Sequence, residues 1–195
     1  MPETHPPGDI ATLSIEEIAR IAADRRLPPV DGWQPERSGD SGMRIARDGT
    51  WFHEGAPIQR PAMVRLFSTI LRREADGSHV LVTPVEKLTI AVEDTPFLAV
   101  EMTSEGEGRD RRLAFRLNTD ELVAADADHP LTMVAADGDQ DGADGEHLHL
   151  RVRGGLAARI VRPVWYTLAG LAIDEGADPP GLWSSGVFFP FTRAQ

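Results

Sequence analysis

Apolar side chains recur at helical spacing in residues 61–71. Pro61 suits the first position of a helix, because its missing N–H has no intrahelical partner there. After it, apolar residues fall three or four positions apart: Met63, Leu66, Phe67, Ile70 and Leu71. This spacing predicts an amphipathic helix with one face on a core.

Strand patterns flank this helix on both sides. A turn at Asp48 and Gly49 predicts a hairpin that joins residues 43–47 to residues 50–54. Further segments read as strands: 79–83, 87–92, 97–103, 112–117, 131–136 and 146–153. Turns rich in Gly and Asp separate the later segments. We therefore expect an antiparallel, meander-like sheet.

A second helix is predicted from residue 14 to about residue 26. Ser14 and Glu17 have the spacing of a capping box. One apolar face follows, formed by Ile15, Ile18, Ala19 and Ala22. This face either docks on the core or binds a partner, and docking is the favoured interpretation.

The segment around residue 163 repeats features of the segment around residue 61. Arg162 and Pro163 align with Arg60 and Pro61, and apolar residues again follow at matching positions. A turn with glycine precedes each predicted helix, and an apolar run that ends in proline follows each. We therefore predict two copies of one unit.

The predicted fold class is α+β, with a duplicated unit in which a curved antiparallel sheet carries one packed helix. Residues 1–40 form an N-terminal helix and connector, residues 41–95 the first half and residues 96–195 the second half. The helix at 163–173 is apolar nearly all round, so we expect it to be buried or covered.

Composition excludes several classes of function. The 195 residues contain no cysteine, which excludes disulfides, thiolate chemistry and cysteine-based zinc sites. A formal net charge of −11 disfavours binding to nucleic acid. No apolar run has the length of a membrane span and no signal pattern opens the chain, so we expect a cytoplasmic protein without membrane contact.

Arginines near the predicted helix starts are candidates for holding an anion. Arg60 and Arg65 belong to the first predicted helix, and Arg162 repeats Arg60 in the second half. Helix N-termini favour anions, and arginine binds carboxylate or phosphate bidentately. A structural ion pair of Arg60 with Glu54 or Glu86 is an equally open alternative.

Histidines offer weaker candidates. His53 beside Glu54 suggests a general base, although adjacent strand residues point to opposite faces. His147 and His149 share one strand face and could begin a metal site, but two surface or half-buried histidines are the favoured interpretation. A third ligand would come from residues far along the chain: His53, Glu54, His79 or His129.

The acidic stretch 137–142 matches the opening of a calcium loop. Its twelfth position is Leu148 instead of a bidentate glutamate, so a solvated hairpin loop is favoured. The chain has no nucleophile elbow, phosphate-binding loop, dinucleotide fingerprint or zincin motif. We predict no catalytic residues, no metal and no cofactor.

The segment 48–100 resembles a bacterial family, domain-of-unknown-function family 1285. The similarity rests on Trp-Phe-His-Glu-Gly at 51–55, Arg60, Leu66 with Phe67, and Thr-Pro-Val-Glu-Lys at 83–87. The resemblance implies a duplicated α+β core whose C-terminal half is loosely similar to pleckstrin-homology-like folds. It also implies a ligand site between the halves for a nucleotide-like molecule, a role in signalling, and no established catalytic residue.

The favoured function is therefore a non-enzymatic regulatory protein that binds a small anionic or nucleotide-like ligand. The candidate ligand-binding residues are Trp51, His53, Arg60, Arg65, Glu86, Lys87 and Arg162. Trp51 could stack on a ring, and the adjacent Glu86 and Lys87 form either a buried ion pair or a ligand contact. The alternatives are a small hydrolase or isomerase that uses His53, and a protein–protein interaction module. The sequence does not determine the oligomeric state.

Overall fold

The computed structural model describes residues 14–24, 27–135 and 145–192. The predicted calcium loop at 137–142 lies outside the described residues. The helices are α1 (Ile15–Asp24), α2 (Pro61–Thr69) and α3 (Arg162–Glu175). The strands are β1 (Arg37–Ile45), β2 (Trp51–His53), β3 (Ala56–Pro57), β4 (Leu71–Arg73), β5 (His79–Val82), β6 (Glu86–Val92), β7 (Phe97–Glu105), β8 (Arg112–Leu117), β9 (Leu122–Ala124), β10 (Leu131–Ala135), β11 (Glu146–Arg153), β12 (Leu156–Ile160), β13 (Gly181–Ser184) and β14 (Val187–Pro190).

The first twelve strands form two six-stranded sheets with the same order. The order is β3-β2-β1-β6-β5-β4 in the first sheet and β9-β8-β7-β12-β11-β10 in the second. In each, the first and last strands of the half lie side by side and parallel, whereas the other neighbours are antiparallel. The duplicated α+β fold is confirmed.

The expectation of a purely antiparallel sheet is wrong at the centre of each half. The sixth strand returns beside the first in the same direction, as in the pair of Met43 with Ile90. This pairing joins residues far apart in sequence, so local apolar patterns do not reveal it. A curled sheet followed by α3 is compatible with a pleckstrin-homology-like second half, which stays an expectation.

The helices α2 and α3 do not occupy equivalent places in the two sheets. The helix α2 connects the third and fourth strands of the first half, whereas residues 125–130 make that connection in the second half without a helix. The helix α3 follows the sixth strand instead. A hairpin precedes and follows each helix, but β13 and β14 form a sheet of their own. The duplication is therefore carried by the strands, not by the two Arg-Pro helices.

One hydrophobic core joins the two halves. Ile45 and Trp51 of the first half belong to the same buried cluster as Phe97, Phe115 and Leu150 of the second. The ring of Trp51 is 1% exposed. The halves are therefore packed on each other through apolar contacts, and their relative placement is fixed by the same burial that stabilises each sheet.

The helix α1 docks on the second sheet, as predicted. Ile15 and Ile18 are buried against Ala114 and Leu122. The capping box is also confirmed, because the Glu17 carboxylate accepts a hydrogen bond from the Ser14 N–H at 2.8 Å and the Ser14 hydroxyl accepts one from the Glu17 N–H at 3.2 Å. The backbone hydrogen bond from Ser14 lowers the pKa of Glu17 below its usual value.

The predicted burial of the other two helices is only partly correct. In α2, Leu66 is 62% exposed, while Phe67 packs against the core. The helix ends at Thr69, and Leu71 is buried as part of β4. Leu71 therefore does not belong to the apolar face of α2, although the sequence pattern predicted it there. In α3, Ile173 is 77% exposed. Among the described helices none could cross a bilayer, since the 14 residues of α3 span about 21 Å of a core about 30 Å thick.

Candidate functional site

The contact between residues 37–95 and residues 96–192, which we call the seam, is crossed by arginine side chains. Arg159 on β12 donates from Nε to the Asp94 carboxylate at 2.7 Å and from Nη2 to the Arg47 carbonyl oxygen at 2.9 Å. Both acceptors belong to the first half, so Arg159 fixes the segment that leads from one sheet into the other.

Arg153 crosses the seam at a second point. It donates from Nη1 to the Glu121 carboxylate at 2.6 Å and from Nη2 to the carbonyl oxygen of Ser68 in α2 at 2.7 Å. Its guanidinium lies 5.2 Å from the centre of the Phe97 ring. Ser68 is therefore attached to the second half by a charge-assisted hydrogen bond.

A cavity of about 360 Å³ opens along the seam beside Arg159. We call it the seam pocket. Both halves contribute to its wall, which contains Arg47, Arg73, His79, residues 93–96, Val134, Ala135, His147, His149, Gly155 and Ala157. A ligand site between the two halves stays a prediction, and the seam pocket is a cavity to which both halves contribute.

Strand alternation explains the second-half wall of the seam pocket. On β11, Leu148 and Leu150 point into the core, so His147 and His149 lie on the opposite face. Of β12, only Ala157 lines the pocket, and its small side chain leaves the space beside the histidines open. The two-residue turn at 154–155 has positive φ at both positions, as glycine permits and a type I′ hairpin requires.

The carboxylates that line the seam pocket are paired with arginines, whereas one arginine of its wall is not paired with a described residue. Asp94 is paired with Arg159, and Glu93 is paired with Arg44 and accepts a hydrogen bond from the Arg47 N–H at 3.0 Å. The exposed guanidinium of Arg73 has no hydrogen-bond or ion-pair partner among the described residues. A bound anion would therefore meet Arg73 while the carboxylates are already neutralised.

Burial lowers the pKa of two imidazoles in the seam pocket. The pKa of His79 is lowered by loss of hydration and by the nearby charge of Arg73. The pKa of His149 is lowered mainly by burial, against the opposing effect of Asp94. Nε2 of His149 is buried and has no hydrogen-bond partner in the part of the chain that the structure describes. Both rings are therefore neutral at pH 7, and a neutral imidazole offers one donor and one acceptor.

The lowered pKa values predict that the protein loses stability in mild acid. An unfolded histidine titrates near pH 6.5, so between about pH 7.5 and 5.5 the unfolded chain binds protons that folded His79 and His149 do not. We expect the urea midpoint to fall over this range. The double variant His79→Gln/His149→Gln should show a flatter profile, and an equally steep fall in that variant would contradict the assignment.

Two sequence candidates are placed where they cannot line the pocket. Trp51 is enclosed in the shared core, so its ring is not available to stack on a ligand. His53 is exposed at the end of β2 and has no hydrogen bond to any described carboxylate. The hydrolase or isomerase alternative therefore has no geometry at His53 to support it.

The charged sequence candidates are scattered. Arg60 is exposed at the start of α2, and Arg65 donates to Asp120 across the seam at 2.8 Å. Glu86 and Lys87 are half-buried at the start of β6 and do not pair with each other. Nζ of Lys87 instead donates a hydrogen bond to the Glu74 carboxylate at 3.3 Å. Arg162 lines a different cavity, so Arg60 and Arg162 do not share a crevice.

Three first-half residues of the seam pocket were absent from the predicted ligand-binding set, although His79 was named as a possible third metal ligand. Arg73, His79 and Asp94 reach the seam pocket from a hairpin and a connection of the first half. The alternation of His147 and His149 was the one local signal. His79 does join these histidines, but no cluster of three or more ligating side chains suited to a metal occurs among the described residues.

Comparison with known proteins gives consistent family matches. A family model described as "Domain of unknown function (DUF1285), N-terminal domain" matches residues 28–95, and the corresponding C-terminal model matches residues 96–191. A solved DUF1285 family protein from Silicibacter pomeroyi DSS-3 is 42% identical, with a TM-score of 0.77 over 91% of this chain and 95% of that chain. Another from Shewanella baltica OS155 is 23% identical, with a TM-score of 0.49 over 66% and 90%. No curated protein matches the chain.

Proposed function

The chain belongs to the DUF1285 family, and we propose that it is a non-enzymatic regulatory protein that binds a small anion in the seam pocket. The observation that supports this most is the guanidinium of Arg73, which has no partner among the described residues and lines a cavity of about 360 Å³ between the halves. Ligand pockets start at about 300 Å³, so the cavity suits a small molecule.

The chemistry of the wall favours recognition over catalysis. Arginine binds carboxylate and phosphate oxygens through paired N–H groups. Neutral His79 and His149 add donors and acceptors for the uncharged part of a ligand, as a nucleotide-like molecule would require. Both carboxylates of the wall are engaged by arginines, so neither is poised as a general base.

The remaining parts of the proposal concern partners and location. The net charge of −11 supports a protein that avoids nucleic acid. The proposal also includes a cytoplasmic location, no contact with a membrane and a role in signalling. Binding of a protein partner is a separate proposal, in which the exposed side chains of Leu66 and Val85 would contact that partner.

The anion site is tested by calorimetric titration with inorganic phosphate. We expect Arg73→Gln to weaken phosphate binding about tenfold, since a hydrogen bond to a charged group contributes about 1.5–3 kcal/mol. Arg60→Gln is the matched control, because Arg60 is also exposed, lies in the same half and has no partner among the described residues. Equal phosphate affinity in wild type and Arg73→Gln, or an equal loss in Arg60→Gln, would refute the site.

A further inference from the structure

A second cavity, of about 320 Å³, lies at the start of α3 within the second half. We call it the α3 cavity. Asp94 does not line it, although the Asp94 partner Arg159 does, and it shares only His147 with the seam pocket. Its wall contains Met133, Glu146, His147, Leu148, Arg159, Ile160, Arg162, Trp165, Tyr166 and Phe191.

Aromatic rings form one side of the α3 cavity. Trp165 and Phe191 lie with ring centres 5.2 Å apart and planes tilted by 59°. Phe191 is held in place because its backbone N–H donates to the Pro180 carbonyl oxygen at 2.7 Å. Tyr166, on the next position of α3, is 67% exposed although it also lines the cavity. A flat apolar guest would remove ring surface from water there.

The charges of the α3 cavity favour a guest with a single negative charge. Arg162 is exposed and has no partner among the described residues, whereas Arg159 is already bound to Asp94. Arg162 is therefore the arginine of this wall that is open to a ligand among the described residues. Its paired N–H groups match the two oxygens of one carboxylate.

We propose that the α3 cavity binds a monoanionic aryl carboxylate. The ring lies against Trp165, Tyr166 and Phe191, and the carboxylate accepts hydrogen bonds from the guanidinium of Arg162. This site is separate from the proposed anion site in the seam pocket and does not depend on it.

The probe is 1-naphthoate, titrated into the full chain and followed by ligand-observed NMR. Its ring fits the aromatic wall and its carboxylate carries one charge. We expect Arg162→Gln to weaken 1-naphthoate binding about tenfold and Tyr166→Ser about fivefold. The uncharged analogue 1-naphthalenemethanol should bind about tenfold more weakly than 1-naphthoate to wild type, and this difference should vanish in Arg162→Gln.

Matched control variants distinguish binding in the α3 cavity from nonspecific hydrophobic binding and from binding in the seam pocket. Ile173→Ser removes another exposed apolar side chain of α3, and Arg60→Gln removes another exposed arginine, so neither should change the affinity. Arg73→Gln should weaken phosphate but leave 1-naphthoate unchanged. No binding of 1-naphthoate to wild type, unchanged binding in Arg162→Gln, or equal losses in the controls would each overturn the proposal.

Discussion

Replacing Trp51 with alanine is expected to lower the free energy of unfolding by about 3–5 kcal/mol. The indole is 1% exposed and belongs to the core cluster shared by the two sheets. Its removal leaves a cavity at the point where the halves meet, and the surrounding strands can close it only in part. Urea denaturation followed by circular dichroism measures the loss.

The variant Trp51→Phe separates packing from ligand contact. Nε1 of Trp51 has no hydrogen-bond partner within residues 14–24, 27–135 and 145–192, so phenylalanine removes ring volume without removing a hydrogen bond seen there. We expect a smaller loss of stability than in Trp51→Ala and an unchanged affinity for phosphate. A stable Trp51→Phe protein with weakened phosphate binding would restore Trp51 as a ligand contact.

Replacing Arg153 with methionine is expected to cost about 3–5 kcal/mol, because the partner charge stays buried without a cation. The side chain of Glu121 is 12% exposed and that of Arg153 is 19% exposed. The change also removes the hydrogen bond to the carbonyl oxygen of Ser68 across the seam. Thermal and urea unfolding should both report the loss.

Two controls test that explanation of the Arg153 effect. The double variant Arg153→Met/Glu121→Gln should regain more than half of the loss, since no unpaired charge remains. Arg65→Met should cost at most about 1 kcal/mol, because Arg65 is more exposed and Asp120 keeps its contact with Arg116 at 3.2 Å. A double variant no more stable than Arg153→Met would show that the buried charge is not the cause.

The sequence predicted local elements better than the way they assemble. The segment 146–153 was read as a strand from its alternation and coincides with β11. The parallel pairing of β1 with β6 could not be predicted from local patterns, because about forty residues separate the two strands in the chain. The same limit explains Leu71, whose apolar character suits either the end of α2 or the start of β4.

The place of a cavity between the halves could be anticipated from the sequence, but the residues that line it could not. A duplicated chain suggests a seam, and the alternation of His147 and His149 placed both on one face of β11. No local sequence pattern places Arg73 and His79 in a common wall with His149. Their position in that wall depends on the packing of one half against the other, which also buries Trp51.

Binding of a small anion in the seam pocket can be followed at its histidines by NMR. Inorganic phosphate is added at pH 7 while the imidazole signals are followed, after assignment with single His→Gln variants. We expect the signals of His79 and His149 to shift with phosphate while those of exposed His53 and of His129, which is paired with Asp126, stay in place. Shifts at His53 with no change at His79 and His149 would contradict it.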